Sequence, residues 1–75
     1  MSEIELIVTE KESLGELIRT RRKSRNIRQA DLAEMAGISP RTLRDIEKGT
    51  ANPELETLLK IFEVLGLGIK VEIIK

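Results

Sequence analysis

The sequence predicts a mainly α domain of about four helices with a short β-strand at each end. Three observations predict it. Apolar residues recur at helical spacing in four windows between residues 14 and 65. Glycines 37, 49 and 66 fall just past the end of three of those windows. Both termini alternate apolar and charged residues at a period of two. With 75 residues and 40% hydrophobic content, the chain supports one small domain, residues 1–75, with a thin core that dimerisation would help.

The elements follow in order. "EIELIV" sets Ile4, Leu6 and Val8 against Glu3 and Glu5, a half-buried strand within residues 1–9. Ser13 and Glu16 have capping-box spacing, so a first helix should start near Leu14 and run to about Arg25, with Leu14, Leu17 and Ile18 on one face. A second helix spans Gln29 to Ala36 and ends at Gly37. Ser39-Pro40 is an N-cap followed by proline at the first helical position, opening a third helix that closes at Gly49. "TANP" is a loop. The fourth helix, about Glu54 to Leu65, is so apolar that Leu55 through Leu65 are expected in the core. "IKVEII" then alternates Ile69, Val71 and Ile73 against Lys70 and Glu72 as a second strand, within residues 67–75. A lone strand leaves its backbone groups unsatisfied, so each end strand needs a partner in the same chain, in a second copy, or both; a dimer sheet built with Ile69, Val71 and Ile73 is favoured.

Composition excludes several functions. There is no cysteine and no histidine, which removes disulfides, thiolate and imidazole metal ligands and the commonest general base. No enzyme activity, cofactor or metal is expected. Without a membrane-length apolar run or a signal peptide, a soluble cytoplasmic protein is expected. The net charge is zero, but residues 19–48 carry a balance of +5 between flanks of −4 and −1. Such a patch steers polyanions. Within it, Arg19, Arg21, Lys23 and Arg25 either join the patch or are plain solvated helix residues.

Gln29 to Glu47 has the anatomy of a helix-turn-helix: a short helix, small Ala33 where helices cross, Gly37 at the turn, Ile38 plugging it, and Leu43 and Ile46 anchoring the next helix. Once those two point inward, Arg41, Arg44, Asp45 and Lys48 share the outward face. "IRQADLAEMAGISPRTLRDIEKGTANPELETLLKI" resembles the Xre/lambda-type repressor family, whose mark is a "(T/S)Q-x-x-LA-x-x-x-G-(V/I)-(S/T)" run. The residues that carry the resemblance are Gln29, Leu32, Ala33, Gly37, Ile38, Ser39, Glu47, Gly49, Pro53, Leu55, Leu58 and Leu59. It covers roughly residues 14–66. A strand directly after the last helix further resembles HipB-type antitoxins.

The resemblance implies a lambda repressor-like bundle and a set of roles. Arg41, Thr42, Arg44 and Asp45 would read bases in the major groove, arginine through guanine O6 and N7 and aspartate through cytosine N4. Gln29, Arg28, Ser39, Lys48, Thr50 and Asn52 would hold the DNA backbone. Arg22 and Glu47 would form a buried structural ion pair. Two departures stand out: Arg28 replaces the usual Thr or Ser N-cap, and Pro40 replaces a frequent base contact. Arg41 and Asp45, four apart, could instead form a simple intrahelical pair.

The resulting expectation is a sequence-specific regulator of transcription, a repressor, that binds double-stranded DNA as a homodimer on a pseudo-palindromic operator. A HipB-like role would add a toxin protein as partner. The alternative is a non-catalytic interaction module that keeps the helix-turn-helix only as a scaffold.

Overall fold

The computed structural model describes residues 11–69. They form four helices: α1 (Lys11–Ser24), α2 (Gln29–Ala36), α3 (Pro40–Lys48) and α4 (Leu55–Leu65). Helix α1 packs on α3 and α4, and α2 packs on α3 and α4. The core where they meet is built from Ile18, Leu32, Ala33, Ala36, Leu43, Ile46, Ile61, Phe62 and Leu65. Leu14, Ile27, Ile38, Ala51, Leu58, Val64 and Leu67 close over it. None of the described helices is long and apolar enough to cross a membrane.

Each junction has a local cause. Asn26 carries the chain out of α1 in the left-handed region, φ 56°, which asparagine tolerates. Gly37 leaves α2 at φ 72°, and the Ile38 N–H donates back to the Ala33 carbonyl at 2.9 Å. That is a Schellman-type end, and its left-handed residue is the one that lets α3 turn sharply away. Ser39 Oγ accepts from the Thr42 N–H at 3.0 Å, capping α3, with Pro40 next in line. Replacing Ser39 by alanine should lower stability by about 1 kcal/mol in chemical denaturation. A value near zero would show that the turn, not the cap, holds α3 in place.

Three expectations are corrected. Helix α1 already includes Lys11, so Ser13 lies within the helix rather than at its cap. The helix ends at Ser24, at the boundary expected near Arg25. Leu55 and Leu59 are exposed rather than core, at 64% and 49%. The apolar arc of α4 is wider than its buried face, which is set by Ile61, Phe62 and Leu65, and Leu55 and Leu59 fall at the edge of that arc. Among the described residues there is no strand, and residues 67–69 continue from Gly66 without one. The remaining parts of both expected strands, Val71 and Ile73 included, lie outside the described residues.

Candidate nucleic-acid interface

Helix α3 is nine residues long, too short to persist alone in water. Its support is Leu43 and Ile46, both buried, with Glu47 beside them. Burying a carboxylate needs compensation, and here it is complete. Arg22 of α1 grips Glu47 bidentately, Nε to Oε2 at 2.8 Å and a terminal nitrogen to Oε1 at 3.1 Å. Its other terminal nitrogen donates to the Ile27 carbonyl at 3.0 Å. Gln29 Nε2 donates to Glu47 Oε1 at 3.2 Å. One buried carboxylate thus joins α1, the first residue of α2 and the last turn of α3.

Gly15 is the second fixed point between α1 and α3. A Cβ at this position would press on the Ile46 carbonyl oxygen and lie 2.5 Å from that of Glu47. The absence of a side chain lets α1 ride directly on the backbone of α3. Glycine inside a helix costs roughly 1 kcal/mol relative to alanine, and such a residue usually marks a packing need.

With its back fixed, α3 presents Arg41, Thr42, Arg44 and Lys48 exposed and Asp45 half-buried. No ion pair joins Arg41 to Asp45 among the described residues. Thr42 Oγ1 is hydrogen-bonded to Ser39 Oγ at 2.8 Å. Thr50 donates to the Asp45 carbonyl from both its hydroxyl, at 3.2 Å, and its backbone N–H, at 3.0 Å. That pins the loop after α3, where Asn52 is exposed. Arg28 caps nothing with its side chain; it pairs instead with Asp31 at 2.9 Å on the surface of α2.

The other cations of α1 divide. Arg21 Nε donates to the Leu65 carbonyl at 2.9 Å and Arg25 reaches the same oxygen at 3.4 Å. They satisfy the open end of α4 and complement its dipole. Arg19 goes elsewhere. With Gln29, Arg44, Glu47 and Lys48 it lines a concavity of about 370 Å³ between α1, α2 and α3. The structure thus brings together Gln29, Arg44 and Lys48, with Ser39, Arg41, Thr42, Asp45, Thr50 and Asn52 along the same helix and its flanks. Sequence reasoning singled out neither Gly15 nor Arg19. The glycine signal was available in its helix-interior position, whereas Arg19 was one arginine among several.

A model of the helix-turn-helix family matches residues 18–71, and the chain belongs to that family, in its Xre/lambda-repressor-like form. An uncharacterised HTH-type transcriptional regulator of Sinorhizobium fredii is 34% identical over 58 residues, 77% of this chain and 76% of that one. The P22 c2 repressor protein in complex with synthetic operator 9T is 38% identical, with a TM-score of 0.70 over 73% of this chain and 83% of that one. A HipB variant in complex with an O2 20mer is 26% identical, with a TM-score of 0.80 over 97% of this chain and 100% of that one. Across five curated relatives the chain spans from 40% to 76% of the relative's length.

Proposed function

We propose that the chain is a sequence-specific double-stranded-DNA-binding regulator of transcription, a repressor, acting as a homodimer. The observation that carries this reading is the third helix itself. It is held from behind by Leu43, Ile46 and the buried Glu47, and in front it carries Arg41, Arg44 and Lys48 with no ion pair among the described residues. The repressor–operator complex among the similar structures supports it. So do relatives named as transcriptional regulators. In this reading Arg41, Thr42, Arg44 and Asp45 read base edges from the major groove, and Gln29, Arg28, Ser39, Lys48, Thr50 and Asn52 hold phosphates. Gln29 donates to a backbone oxygen with the amide proton that Glu47 leaves free. Dimerisation runs through residues 67–75, of which Ile69 is exposed. The likeness to HipB over nearly the whole of both chains supports an antitoxin role with a toxin protein as partner.

Selection from a random duplex pool at near-physiological salt tests the reading. The expected product is an inverted repeat with half-sites about 34 Å apart, the spacing a two-fold dimer imposes. Enrichment of nothing would leave the fold as an interaction scaffold. On the selected operator, Arg41→Ala should cost about 1–3 kcal/mol and relax preference at one base pair per half-site. Equal loss on every sequence would move Arg41 to the backbone.

A further inference from the structure

The outward face of α3 has two unlike flanks. At roughly 100° per residue, Arg41 and Lys48 lie near the pole opposite buried Leu43 and Ile46, with Arg44 about 50° to one side and Asp45 about 50° to the other. Arg44 follows Leu43 directly and flanks the helix on the side of Glu47, toward α1. The concavity lies on the Arg44 flank, taking Arg44 and Lys48 from α3 and leaving Arg41 and Asp45 out. Its third cation, Arg19, comes from α1, and Gln29 opens α2 beside it. Its only carboxylate, Glu47, is buried with both oxygens engaged by Arg22 and Gln29. An anion entering the hollow therefore meets cations and amide protons, not a free carboxylate.

We infer that Arg19, Arg44 and Lys48 form one cradle for a single phosphodiester of the DNA backbone in each half-site. This rests on the DNA-binding reading and sharpens it. Arg44 serves position rather than sequence, and α1 contributes to DNA binding through Arg19. A cradle fixed to α1 and α3 at once sets the depth at which the recognition helix sits, because the phosphate is held from both sides of the groove between them. Base selection then falls to Arg41, Thr42 and Asp45 alone.

The test measures affinity of the full chain for the selected operator and for a scrambled duplex, each across a salt series. Arg44→Ala and Arg19→Ala should each weaken both duplexes by the same factor, about fivefold per half-site at 0.15 M salt. The salt slope should fall by about 1 for each cation removed from a phosphate. Thermal denaturation of these surface variants should match that of the parent. In a scan of neutral methylphosphonate substitutions, one position per half-site should reproduce the loss. There, neither alanine variant should cost anything more. Loss of operator preference in Arg44→Ala would overturn the cradle and return Arg44 to base readout while leaving the DNA-binding reading intact. Competition by inorganic phosphate at matched ionic strength would assign the hollow to a free anion and overturn it. If the unsubstituted chain binds no duplex, both readings fall together.

Discussion

Replacing Glu47 by alanine should remove about 3–5 kcal/mol of stability, the usual loss when one partner of a buried ion pair is deleted. For a chain of 75 residues this is a large share of the total, since native domains hold roughly 0.05–0.15 kcal/mol per residue. The reason lies in what is left behind. Arg22 is only 8% exposed, and without the carboxylate its guanidinium keeps a single partner, the Ile27 carbonyl. Gln29 loses its anchor as well. Arg22→Ala should be comparably severe, stranding Glu47 with Gln29 alone. Replacing both with apolar residues of similar volume, Arg22→Met with Glu47→Leu, should recover most of the loss, because burying the charges is itself costly. Denaturant titration of the four proteins measures this. Single-variant losses below about 1 kcal/mol would show that water reaches the pair and that it behaves as a surface ion pair.

Gly15→Ala should also destabilise, against the direction that helix propensity alone suggests. Propensity favours alanine by roughly 1 kcal/mol. The new methyl group, however, would strike two backbone carbonyls of α3, at Ile46 and Glu47. Backbone cannot rotate aside as a side chain can, so α1 must lift away and carry Ile18 and Arg22 with it. The overpacking penalty of about 1–3 kcal/mol, occasionally more, therefore wins. Each kilocalorie lowers the melting temperature of a domain this size by roughly 4–8 °C, which calorimetry resolves easily. Operator affinity should fall with it, since the last turn of α3 is displaced. A more stable protein would mean that α1 and α3 can separate without penalty, and the close crossing would have no structural role.

Much of this architecture is written in short local signals. Ser39-Pro40, Gly37 and Gly49 bound α2 and α3 because caps and left-handed turns are decided by adjacent residues. The inward placement of Leu43 and Ile46 follows from spacing alone. The start of α1 was not legible: Ser13 and Glu16 have the spacing of a capping box, yet serine also sits inside helices when a neighbouring turn continues them. Nor was the share of α4 that is covered, where the apolar arc is wider than the buried face and periodicity does not choose which leucines lie under it. The cations of α1 were the hardest. Arg19, Arg21 and Arg25 look alike in sequence, and what separates them is where the end of α4 falls, 44 residues downstream of Arg21. Arg21 and Arg25 commit their charge to that helix end; Arg19 does not.

That commitment has a kinetic consequence. The formal charge of the chain is zero, and several of its arginines are occupied internally, Arg22 by Glu47 and Arg21 and Arg25 by α4. What faces outward near α3 is a compact set of cations on an otherwise balanced body. Such a molecule is turned by a polyanion's field more than it is drawn in by it. Encounters with random duplex should be short, with little time spent sliding, and most of the population should remain free until base contacts form. Occupancy of an operator would then follow the concentration of the protein itself.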